Sequence, residues 1–204
     1  MKIKTPGTNI PGRETLGRNT IDEQELVQRL KKGQQWAVNV LVDRYQNRLL
    51  KLAYGITMDM EDSQDVVQDV FVKAVKHIHG FRYKSSLWGW LRKITINACL
   101  NWKRKLKRRF KWHHQSLESE NDPLLYKRTE TILNPESILR EKELNEKLMQ
   151  AVKKLPEGNR VVFVLNTFED LSYKEIAQTL NIRKGTVNSR LYHARKQIMA
   201  ALNM

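Results

Sequence analysis

Apolar residues recur at three- and four-residue spacing along most of this chain, the period of helices that bury one face. Leu26, Val27 and Leu30 share a face in a first short helix, opened by Thr20 and Glu23 at capping-box spacing. After Gly33 a long amphipathic helix turns Trp36, Val40, Leu41, Tyr45, Leu49, Leu52 and Ile56 inward. The next stretch, MEDSQDVVQDVFVKAVKHIHGF, repeats the period in Val66, Val67, Val70, Phe71, Ala74, Val75 and Ile78, with Gly80 just past its end. SLWGWLRKITINACLNWKRKLKRRFKW follows, apolar on Leu87, Leu91, Ile94, Ala98 and Trp102 and increasingly basic towards its end. Residues 20–112 thus predict a helical domain, and the aperiodic, Gly- and Pro-bearing residues 1–19 a disordered basic tail.

Periodicity stops at residues 113–133, where Ser, Glu, Asn, Asp and Pro123 accumulate as in a flexible linker. It resumes at Asn134 and Pro135, an N-cap followed by a first-turn proline, with Ile138, Leu139, Leu144, Leu148 and Val152 on the buried face. VVFVL at 161–165 has strand propensity, but its helical surroundings and Pro156 favour a short buried helix. Ser172 and Glu175 form a second capping box, and Ile176, Leu180, Ile182 and Val187 supply the inner side of a helix-turn-helix. Ala177 permits a close helix crossing there, and Asn181 suits the left-handed residue of the turn. The predicted fold is all-α: two small helical domains, 20–112 and 134–204, joined by a linker.

The last helix of that motif turns Val187, Leu191, Ala194 and Ile198 inward and leaves Lys184, Thr186, Asn188, Ser189, Arg190, His193 and Lys196 outward or lateral. Arg and Lys suit guanine edges and phosphates, Asn suits adenine, and Ser and Thr suit either, so this face predicts major-groove recognition. A net charge of +15 over 204 residues agrees with a polyanionic partner without specifying which. No run of about 18 apolar residues crosses a membrane, and the N-terminal stretch lacks the apolar core of a secretory signal, so a cytoplasmic location is expected. The lone Cys99 lies inside an apolar pattern and reads as a packed thiol, and the scattered histidines do not form a metal motif.

Two features go beyond a simple helix-turn-helix. Asp62, Asp65 and Asp69, with Gln68 beside them, line one face of a helix in an otherwise basic chain. Such a face fits a basic protein partner, an ordinary solvated surface or, as in a nuclease, a divalent cation. Phe81, Tyr83, Trp88 and Trp90 precede a basic helix, and rings beside cations suit single-stranded DNA, with Trp88 expected to be less buried than Trp90.

DSQDVVQDVFVKA, WLRKITINACLNWKRK and the C-terminal LPEGNRVVFVLNTFEDLSYKEIAQTLNIRKGTVNSRLYHARKQI, in this order, resemble the extracytoplasmic-function group of bacterial sigma factors. The resemblance implies a specificity subunit, without enzymatic activity or cofactor, that directs core RNA polymerase to promoters and starts DNA melting, in an envelope or stress response. It implies that Asp65, Gln68, Asp69 and Phe71 dock on the clamp of the polymerase's largest catalytic subunit. Lys84, Trp88, Arg92, Lys93, Asn97, Asn101, Lys103 and Arg104 would hold the minus-ten strand and its flipped base. Arg160, Ser172, Tyr173 and Lys174 would hold phosphates around the minus-thirty-five element read by the last helix. An anti-sigma factor would be a further partner. Trp88 and Gly89 stand where the family often has a small polar residue and a Thr, and Asn101 where Asp is common. The roughly 25 to 30 residues between the two stretches that carry the resemblance, about 22–108 and 136–201, reach about 80–100 Å, enough for two elements about 70–80 Å apart on B-DNA. The rival readings are a regulator acting without polymerase and a metal-dependent nuclease built on the acidic stripe.

Overall fold

The computed structural model describes residues 21–110 and 135–202. The tail, Thr20, the linker and Asn134 lie outside the described residues, as does the continuation of the basic run to Lys111. Among the described residues there are eight α-helices, one short 3-10 turn and no strand. The helices are α1 (Glu23–Lys31), α2 (Gln35–Thr57), α3 (Met60–His77) and α4 (Leu87–Phe110), then α5 (Pro135–Lys154), α6 (Glu157–Thr167), α7 (Tyr173–Leu180) and α8 (Lys184–Ala201).

α2, α3 and α4 pack on one another, and α1 lies on α2. Leu26, Leu41, Leu49, Leu52, Ile56, Leu87, Leu91 and Ile96 are fully buried there, each contributing about 1.5–3 kcal/mol through burial. Cys99 belongs to the same core, and burial pushes its thiol up to about 12, so it stays protonated and inert. The α2–α3 corner turns on Met58, left-handed at φ 59°, and is held by buried hydroxyls of Thr57 and Ser63 at 2.7 Å. Asp59 then caps α3 by accepting the Asp62 N–H at 2.9 Å.

Several inward positions differ from the periodic expectation. Trp36, in the first turn of α2, is 44% exposed, and Leu144, midway along α5, is 54% exposed. Ile94 and Trp102 are half-buried, while Thr95, Ile96 and Cys99 are buried. The N-cap of α1 is Asp22, without a side-chain cap bond; Thr20 of the expected capping box lies outside the described residues, and its expected partner Glu23 stands in the first turn of α1. The Glu23 carboxylate accepts the Leu87 N–H at 2.7 Å, so α1 caps α4 across the fold.

The second half is organised by α6, which is buried from Val161 through Leu165 without a gap. Five consecutive buried residues cannot come from one helix face, and α6 is covered by α8 and α7 of its own half and by α2 of the other. This explains the continuous apolar run that has the look of a strand. The Ser172–Glu175 capping box opens α7, and Asn181 is left-handed at φ 52° in the turn to α8.

Candidate nucleic-acid interface

α8 leaves Lys184, Asn188, Ser189, His193 and Lys196 exposed, with Thr186 and Arg190 half-buried. Its other side is anchored by Val187, Leu191, Ala194 and Ile198, all buried, so the polar set is presented on a rigid base. Arg190 is not a free arm: a Cβ on Gly158 would lie 3.1 Å from its Cζ, so the guanidinium rests against the first turn of α6. Ser172 and Lys174 are exposed and Tyr173 half-buried at the start of α7, beside α8. Arg160 departs from expectation. It is 7% exposed, and its Nη1 donates to the Lys153 carbonyl at 2.9 Å, tying the end of α5 to α6 and leaving no surface for a phosphate. Its burial lowers the guanidinium's pKa from the usual value, an effect Glu157 opposes. Arg183, exposed at the N-cap of α8, is a basic residue beside this surface that helical periodicity could have included.

In the first half, Lys93, Asn97, Asn101 and Arg104 are exposed. At about 100° per residue they form one stripe along α4, with Lys103 half-buried at its border and Lys84 exposed in the preceding loop. Trp88 and Arg92 do not share that stripe. Trp88 is half-buried, parallel to Tyr45 with ring centroids 6.4 Å apart, and the Arg48 guanidinium covers it 3.8 Å from the ring centroid. With Tyr45 beside it and Arg48 over it, Trp88 is not the open stacking ring that the sequence suggests. Trp90 is also half-buried, against Phe81 at 5.4 Å. The exposed ring is Tyr83, 44% exposed and held left-handed at φ 56°, with the Lys31 ammonium 5.4 Å from its centroid. Lys31 also donates to the Phe81 carbonyl at 3.0 Å, so α1 fixes the loop that carries Tyr83.

The acidic stripe on α3 divides as well. Asp65, Gln68 and Asp69 are exposed and Phe71 is half-buried, which gives an acidic patch with an apolar edge continued by Val72, 64% exposed. Asp62 is half-buried in the first turn, where the helix dipole favours it. Burial raises its pKa, against the influence of Trp102 and Lys103. Among the described residues no group of three or more His, Cys, Asp and Glu side chains is placed to hold a metal ion. No described helix is long and apolar enough to cross a membrane.

The family description of sigma-70 region 2 matches residues 41–109, and that of sigma-70 region 4 matches residues 145–198. The chain is 34% identical to the RNA polymerase sigma-H factor of Pseudomonas aeruginosa, over 88% of this chain and 93% of that protein. The chain belongs to the extracytoplasmic-function group of the sigma-70 family. The ECF RNA polymerase sigma-E factor of Escherichia coli is 35% identical over 87% of this chain and 93% of that protein. Two solved structures share the fold: the sigma factor RpoE of Bartonella quintana in complex with the anti-sigma factor NepR (TM-score 0.63, 22% identity, 80% of this chain and 94% of that one) and CnrH in complex with the cytosolic domain of CnrY (TM-score 0.56, 24% identity, 89% and 97%). As a sigma factor, the protein acts in promoter-specific transcription initiation, binding DNA and RNA polymerase. The region 2 match covers α4 with its basic stripe, and the region 4 match covers the helix-turn-helix.

Proposed function

We propose that the two halves divide initiation between them. Asp65, Gln68, Asp69 and Phe71 on α3 dock on the clamp of the polymerase's largest catalytic subunit. Lys93, Asn97, Asn101 and Arg104, bordered by Lys84 and Lys103, hold the non-paired strand of the minus-ten element while it melts. The outward residues of α8, with Ser172, Tyr173 and Lys174, read and hold the minus-thirty-five element. The observation that carries this reading is the exposed cation–amide stripe of α4, since polar amides interleaved with cations can engage base edges and phosphates of one strand together.

An acidic patch on a chain of net charge +15 repels DNA and so belongs to a protein partner, which supports the clamp as its target. An anti-sigma factor as inhibitor and an envelope or stress stimulus complete the proposal. CnrH and RpoE, which share this fold, are each held by a partner protein in their solved complexes.

Permanganate reactivity of thymines on a promoter, with core polymerase and this chain, tests the melting step. The wild type should open the minus-ten region, and Asn97→Ala with Asn101→Ala should lower the opening by about tenfold or more while leaving polymerase binding intact. Unchanged opening in the double variant would remove these residues from the melted strand.

A further inference from the structure

Where α6 meets α2, the two halves also meet through charge. Arg92 Nη1 of α4 stands 3.8 Å from Glu169 Oε2 and approaches the Glu169 carbonyl at 3.5 Å. The side chain of Glu169 is only 8% exposed, in the connection between α6 and α7. Arg48, on α2, also acts on this carboxylate, and its guanidinium lies over Trp88. Arg92 thus contacts the anionic group directly, and Arg48, seated over the ring of Trp88, adds positive charge from a second helix.

The occupant fits poorly. Glu169 Oε2 is buried without a hydrogen bond, although a buried carboxylate ordinarily has several. Burial raises its pKa in spite of Arg48 and Arg92, with Asp170 adding to the rise. The Arg92 contact to Oε2, at 3.8 Å, is too long for a hydrogen bond, so the buried carboxylate is weakly held. The arrangement is also geometrically provisional. Promoter elements about 70–80 Å apart cannot both be reached while α6 rests on α2, so engagement of DNA has to part this interface.

We propose that Arg48 and Arg92 form a phosphate seat beside Trp88, filled by the Glu169 carboxylate in the closed chain and by a backbone phosphate of single-stranded DNA when the halves part. The proposal rests on the reading of α4 as a strand-binding helix. Arg92 adjoins Lys93, about 100° further round the helix, so the seat continues the basic stripe towards α2. A guanidinium pair suits a phosphate better than a carboxylate that cannot complete its hydrogen bonds, because each fork offers paired donors. Glu169 is then a competitor for the strand, and Arg48 a binding residue on a helix outside the stripe.

Fluorescence anisotropy of the full chain with a labelled single-stranded oligothymidine tests this without polymerase. Glu169→Ala should bind about threefold to tenfold more tightly than the wild type. Asp170→Gly is the control: it removes the same charge one residue away, at a left-handed position (φ 51°) that glycine accepts, and should stay within about twofold of the wild type. Adding Arg48→Gln or Arg92→Gln to Glu169→Ala should abolish the gain, with circular dichroism confirming that each variant is folded. The proposal is overturned if Glu169→Ala binds like the wild type, if Asp170→Gly gains as much, or if Arg48→Gln leaves the gain intact. Polymerase binding by the same variants reads the sigma function separately: a chain that binds polymerase but shows no Glu169 effect has lost the seat alone, whereas a wild type that does not bind polymerase has lost the underlying reading.

Discussion

Glu23 and Leu87 lie 64 positions apart, yet the Glu23 carboxylate accepts the Leu87 N–H at 2.7 Å and closes the open end of α4. The first short helix therefore helps to set where the basic helix begins, in addition to burying Leu26, Val27 and Leu30. Glu23→Ala leaves a helix-end donor without its partner and should lower unfolding stability by about 1 kcal/mol. Denaturant unfolding checks this; an unchanged midpoint would mean that water replaces the carboxylate at no cost.

Ser172 and Glu175 make the reciprocal cap of α7, with Glu175 Oε2 accepting the Ser172 N–H at 2.9 Å and the Ser172 hydroxyl at 2.6 Å. These bonds, the side-chain one first, lower the pKa of Glu175 from its usual value. For a depressed carboxyl the stabilisation is complete above the ordinary glutamate pKa and is lost as pH falls through the folded value. The stability gap between wild type and Ser172→Ala should therefore be present at neutral pH and narrow on acidification below about pH 4. Thermal melts at a series of pH values measure it, and a gap that stays constant would show that Glu175 contributes no charge effect.

On α8, Asn188 is exposed while Arg190 rests against Gly158. A free amide can pair with one adenine, so Asn188→Ala should cost about 1–3 kcal/mol on the preferred minus-thirty-five sequence and relax the preference at a single base pair. Arg190, braced on α6, is placed to follow the backbone, so Arg190→Ala should weaken all promoter variants alike. Competition binding across single-base promoter variants separates the two patterns. A position-specific loss in Arg190→Ala would make it a base reader instead.

The elements were legible because their signals are local. The Ser172–Glu175 box, the Asn181 turn and the inward set of α8 are each written within a few residues. VVFVL was ambiguous because a helix buried on all sides loses the period that identifies a helix, and its second cover comes from α2, more than a hundred positions away. The exposure of Lys93, Asn97, Asn101 and Arg104 was legible, because along α4 it follows helical phase. Exposure was misjudged where packing between helices captures a side chain: Arg160 is taken by the Lys153 carbonyl and Trp88 by Tyr45 and Arg48. No composition or periodicity encodes such partners, since the residues involved lie on different helices.

The acidic patch on α3 bears the central claim, because it separates a polymerase subunit from a regulator that binds DNA by itself. Asp65 and Asp69 are exposed and lie outside the core, so Asp65→Lys with Asp69→Lys should leave the fold intact. The most direct measurement is co-elution of the purified chain with bacterial core RNA polymerase at physiological salt, beside this double variant. The account predicts that the wild type co-elutes and the variant does not. Failure of the wild type to bind, or equal binding by the charge-reversed variant, would contradict it.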